Sequence, residues 1–95
     1  MRSGSDLVHQ RLQGLLELSD EALIQMPDSS TEHLVLAGVK AQCITWHEAR
    51  SDGSHWIFVE LWDTQLINRV LAAEGFALSG ESRRPLTSEE LNGGR

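Results

Sequence analysis

Basic side chains are scarce in this chain: eight Lys and Arg stand against fourteen Asp and Glu, for a net charge of −6. Arg2, Arg11, Lys40, Arg50, Arg69, Arg83, Arg84 and Arg95 are scattered, and only Arg83 and Arg84 adjoin. Nucleic-acid affinity rests mainly on clustered Lys and Arg that neutralise phosphates, so no nucleic-acid partner is expected. The same deficit argues against an anionic membrane surface. A basic protein partner, or simple solubility, suits the charge better. A lone cysteine, Cys43, excludes an internal disulfide. No apolar run approaches the ~20 residues of a membrane helix, and no leader pattern opens the chain. A cytoplasmic protein is expected.

Recognisable chemistry is equally sparse. The glycines at positions 38, 53, 75 and 80 read as turn residues rather than a phosphate-binding loop, and there is no internal repeat. His9, His33, His47 and His55 form no short-spaced pair with one another or with Cys43, as a zinc site would require. No metal and no cofactor are expected. Cys43 and His47 stand four apart on an extended segment, about 13 Å at ~3.3 Å per residue, too far for a thiolate–imidazole pair. His47 and Glu60, diagonal across the expected hairpin, are the one acid–base candidate, and no cleft is visible to hold a substrate beside them. An enzyme is therefore not the favoured expectation.

What remains is a patterned chain of 95 residues, 40% hydrophobic, within the usual size of one domain. A chain this short buries roughly 60–65% of the surface it exposes when unfolded. Residues 1–5 carry no periodicity and are expected to be disordered or extraneous to the fold. Residues 6–80 read as an α+β domain and residues 81–95 as a polar, mobile tail. Val8, Leu12, Leu15 and Leu16 share one face of a helix over Asp6–Leu18. Ser19 caps a short second helix that stops before Pro27. A polar turn over Asp28–Glu32 leads into Leu34–Ala37, and Gly38 marks either a bend or a tight hairpin before Val39–Glu48. His55–Trp62 is the next strand. Asp63 is placed as the cap of a third helix, Thr64–Glu74, closed by Gly75, with Phe76-Ala77-Leu78 as a possible short edge strand. Thr87 or Ser88 before Glu89-Glu90-Leu91 starts one helical turn. The expected class is α+β: two N-terminal helices, an antiparallel hairpin or three-stranded sheet, then a helix, in the order α-α-β-β-β-α.

The hairpin is the informative object. Asp52-Gly53 as a two-residue type I′ turn sets Trp46 opposite Val59, Ile44 opposite Leu61 and Glu48 opposite Ile57. Side chains alternate between faces. One face then carries Ile44, Trp46, Ile57, Val59 and Leu61, and the other Cys43, Thr45, His47, Trp56, Phe58, Glu60 and Trp62. A one-residue slip would exchange one strand's set. With both faces apolar, Trp56, Phe58 and Trp62 either lie under the chain's own helices or form a patch that marks an interaction site. The expected function is a non-enzymatic protein–protein interaction or assembly module, homodimeric through Trp56, Phe58, Trp62 and His47. Two alternatives stay open: a small-ligand domain or minor enzyme with an aromatic-lined pocket, anchored by His47 and Glu60, and an acidic inhibitor of a basic protein.

Overall fold

In the computed structural model the chain runs α1 (Gly4–Leu16), α2 (Asp20–Ile24), β1 (Ser29–Leu36), β2 (Val39–Ala49), β3 (His55–Asp63), β4 (Arg69–Ser79), β5 (Ser82–Pro85) and α3 (Ser88–Gly93). The structure describes residues 4–64, 69–80 and 82–93. The strands form one antiparallel sheet in the order β1-β2-β3-β4-β5, each paired with its neighbour in sequence. The α+β class holds, with five strands in place of three. No helix of the described residues is long and apolar enough to cross a membrane.

Local chemistry accounts for the helical ends. Ser19 accepts a hydrogen bond from the Ala22 amide and starts α2. Thr87 Oγ1 accepts from the Glu90 amide while the Glu90 carboxylate accepts from the Thr87 amide, a reciprocal capping box that starts α3. Gly4 and Ser5, set outside the fold by their lack of pattern, already belong to α1. Residues 82–93, expected in the tail, carry β5 and α3, and Leu86 between them is buried.

Strand pairing overrides local preference in two places. Ser29–Glu32, expected as a turn, begins β1, whose polar residues sit on an exposed edge strand where burial asks nothing of them. The expected third helix over Thr64–Glu74 fails from Arg69 onward, which is β4; residues 65–68 lie outside the described residues. A short apolar run such as Val70–Ala73 fits either period, and the pairing with β3 opposite it decides in favour of strand. Gly75 is no helix terminus. It lies mid-strand opposite Phe58, where an added Cβ would meet Phe58 Cβ, the Ile57 carbonyl at 2.7 Å and Leu86 Cδ1 at 2.9 Å. Close approach, not positive φ, requires the glycine.

The first hairpin closes tightly. Ala37 (φ 50°) and Gly38 (φ 80°) form a two-residue turn with Leu36 opposite Val39, which settles the question about Gly38. The second hairpin differs from expectation. Only Gly53 takes positive φ, at 89°, and the Gly53 amide donates to the Arg50 carbonyl while the Arg50 amide donates to Ser54. Three residues therefore close the loop, and Asp52 stabilises it by accepting from the Ser54 amide and hydroxyl. Two positive-φ residues would be needed for type I′; one gives a turn with a bulge.

That extra loop residue slips the register by one. Trp46 stands opposite Phe58, Ile44 opposite Glu60 and Glu48 opposite Trp56. Ala41, Cys43, Thr45 and His47 thus share a face with Ile57, Val59 and Leu61, and this is the face the helices cover. Val8, Leu12 and Leu23 close the core there with Phe76 and Leu78. α1 packs across β3 and β4. Ile44 and Trp46, expected in the core, belong to the opposite face.

Candidate functional site

The face away from α1 gathers all three tryptophans. Along β3 it presents Trp56, Phe58, Glu60 and Trp62, and along β2 Gln42, Ile44, Trp46 and Glu48. Trp46 and Phe58 stack with ring centroids 6.3 Å apart and planes 24° off parallel. Arg50 lays its guanidinium 4.0 Å from the Trp56 ring centroid, and its Nη1 stands 3.6 Å from Glu48 Oε1. The β4 residues opposite are small: Ala73 faces Glu60, Gly75 faces Phe58 and Ala77 faces Trp56. Leu86 and α3 lie over that β4–β5 margin, where Arg84 makes a two-pronged ion pair with Glu90. Ile44, Trp46, Trp56, Phe58 and Trp62 are half-buried. They shield one another, and α1 and α2 lie on the far side of the sheet.

Glu60 sits at the centre of this face and is 2% exposed. Its Oε1 accepts from Trp46 Nε1 at 2.6 Å and from Trp62 Nε1 at 3.3 Å. An indole N–H that is taken from water needs a partner, and the carboxylate supplies one to both rings at once. Glu60 therefore fixes the orientation of two indoles from within the sheet. The sequence signal for this is the residue's place between aromatics, visible only once Trp46 joins the same face.

His47 lies on the covered face, separated by the sheet from Trp56, Phe58, Trp62 and Glu60. The structure brings together three of the four expected interface residues, adds Trp46 and Ile44, and removes His47. It likewise parts the His47/Glu60 acid–base candidate. The one-residue slip is the cause of both corrections. His47 is 8% exposed, with Nδ1 3.0 Å from the Met26 carbonyl and Nε2 2.8 Å from His55 Nδ1. A carbonyl only accepts, so with both rings neutral His47 Nδ1–H donates to Met26 and His55 Nδ1–H donates to His47. The pair ties the end of α2 to the hairpin. Both ring nitrogens of His47 are engaged in holding structure.

Cys43 is buried on the covered face, and burial raises its thiol pKa above the ordinary value. It is inert core. Among the described residues no group of three or more His, Cys, Asp or Glu is placed to hold a metal. A groove runs between α1, β4 and α3, and a shallow hollow at the end of β2 is lined by Trp46 with Asp28, His47 and Glu48. Trp56, Phe58 and Trp62 line neither. Comparisons with protein-family models, curated proteins and solved structures give no match for this chain.

Proposed function

We propose that this protein is a non-enzymatic assembly module in which the face of Ile44, Trp46, Phe58 and Trp62 packs against the same face of a second copy. The observation that carries the proposal is the collection of every tryptophan, with Phe58, on the sheet face opposite α1 and α2. A two-layer domain normally leaves its open sheet face polar. Here that face spends its one buried carboxylate on orienting indoles. Rings so fixed lose little further freedom on association, which favours binding.

A second copy is the occupant the geometry favours. Two antiparallel sheets stack about 10 Å apart with strands roughly aligned, and a two-fold axis presents identical surfaces to each other. The three strands β1 to β3 over seven residues of β3 cover about 14 Å by 23 Å, or about 330 Å² per copy. The pair would bury about 650 Å², at the level of weak, exchanging complexes rather than obligate dimers. Rim charges of both signs, Glu48 with Arg50 at one end and Lys40 at the other, allow the faces to meet without concentrated repulsion.

Sedimentation equilibrium over a wide concentration range tests this. The expected result is a weight-average mass that climbs from 10.6 kDa toward twice that value, with Phe58→Lys holding it at the lower figure. A mass that stays at 10.6 kDa at every concentration would remove the proposal, as would a Phe58→Lys variant that folds and self-associates like the unaltered chain.

A further inference from the structure

The outer edge of β4 is only partly occupied. β5 pairs with Phe76–Ser79 alone, and its last cross-strand contact is the Leu86 amide donating to the Gly75 carbonyl at 2.9 Å. Beyond that point the chain turns away into α3. Hydrogen-bonding groups alternate sides along a strand, so the residues of β4 in phase with Gly75 are Ala73 and, at the register shift opposite Leu61/Trp62, Leu71. Among the described residues no strand pairs with this stretch.

Ala73 and Glu74, next to the paired Gly75 and Phe76, line a groove of about 460 Å³ whose walls are α1, through His9, Leu12 and Leu16, β5, through Arg83 and Pro85, and the α3 segment, through Leu86 and Leu91. A further hollow of about 250 Å³ shares Ala73, Ser88 and Leu91 with it and continues along β4 to Val70. The small residues Ala72, Ala73 and Gly75 line this space. Strand edge, flanking helix and continuous trough together are the geometry that accepts an added strand.

We propose that the slot between α1 and α3 binds an extended basic peptide, which pairs with β4 at Ala73 and continues the line of β5. In the register set by Leu86 opposite Gly75, a peptide side chain opposite Ala73 falls against Leu86 and Leu91, which calls for an apolar residue. The neighbour opposite Glu74 falls on the α1 side. Glu74 lines the groove with its carboxylate 3.2 Å from His9 Nδ1. Arg83 also lines it, but its guanidinium donates to the Leu16 and Leu18 carbonyls and to Asp20. Among the described residues, the carboxylate that lines this stretch of β4 is Glu74, held on one oxygen by His9 and still part-exposed, and a Lys or Arg opposite Glu74 can pair with it from the open side. The site adjoins the aromatic face at Ala73 and Gly75, but its test reads peptide binding and not self-association.

Titration of the ¹⁵N-labelled full chain with the blocked hexapeptide Lys-Val-Lys-Val-Lys-Val tests the site. Saturable shifts are expected at the amides of Ala72, Ala73 and Glu74. Glu-Val-Glu-Val-Glu-Val should bind about fivefold to tenfold more weakly, and Glu74→Lys should reverse that order. Replacing the central Val of the basic peptide with Pro, which removes a backbone donor, should weaken it similarly. The proposal is overturned by the absence of saturable shifts on β4, by equal binding of the basic and acidic peptides, or by indifference to proline. Should Glu74→Lys fail to fold, the three peptides on the unaltered chain decide the matter alone.

Discussion

Three residues carry unusual structural duties, and each gives a measurable consequence. Gly75 is boxed in by Phe58 Cβ, the Ile57 carbonyl and Leu86. Gly75→Ala must push β3 or Leu86 aside, and overpacking of this kind costs about 1–3 kcal/mol. Urea denaturation should show that loss, and an unchanged midpoint would deny the close packing at this crossing. Trp46 donates its indole N–H to the buried Glu60 at 2.6 Å. Trp46→Phe keeps an aromatic ring yet withdraws a donor from a buried carboxylate, so a loss of about 1–3 kcal/mol is expected in the same assay. Cys43, with its thiol pKa raised chiefly by burial, should be labelled by a thiol reagent only as fast as the domain opens. Labelling at the rate of a free thiol in native buffer would contradict its place in the core. Of these residues, Cys43 is of a type most often buried, although the expected register set it on the aromatic face. The sequence misplaces Trp46 because an indole among alternating apolar residues suits either face.

At the scale of elements, legibility follows the strength of local signals. α1 and α2 are read from 3.6-residue spacing and from Ser19, and β3 from its β-branched and aromatic run. The capping box of α3 is equally local, with Thr87 three residues before Glu90. β4 is not legible. Its Val70–Ala73 run has no alternation, and Gly75 imitates a helix stop, while the fact that decides the matter is the pairing of that run with Glu60–Trp62 of β3, which no local signal in the run encodes. The faces of the hairpin are misassigned for a smaller reason: Asp-Gly specifies a turn here without specifying how many residues close it. The docking of α3 also has a pH dependence. The Arg84 guanidinium beside Glu90 lowers its carboxyl pKa from 4.5 to about 2. A carboxylate with a depressed folded-state pKa contributes stability that is present above pH 4.5 and lost as pH falls toward about 2. Because the pair is exposed, the effect should be local. Amide hydrogen exchange at Leu91 should accelerate across that window while the β2–β3 ladder stays protected, and Glu90→Gln should abolish the pH step. A ladder that opens in parallel would place the acid sensitivity elsewhere.

For the whole molecule, α1 and α2 form a helical layer on one side of the sheet, and the short α3 borders only the β4–β5 margin. α1 and α2 close the core against one side of a five-stranded sheet. The other side carries all three tryptophans, and this is the face that the proposed assembly sets against a second copy. The acidic balance keeps such copies from clumping indiscriminately, since net charge opposes non-specific contact. Composition alone argues against a nucleic-acid partner and offers no spacing for a metal site. It could not distinguish a patch that faces a partner from rings tucked under a helix, because that depends on which face α1 selects. The most direct test mixes isotopically labelled and unlabelled protein and records intermolecular nuclear Overhauser effects. Contacts from the ring protons of Trp46, Phe58 and Trp62 to the same face of the other copy are predicted. A dimer whose intermolecular contacts come from α1 or from the β1 edge, with those rings silent, would contradict the face-to-face pairing.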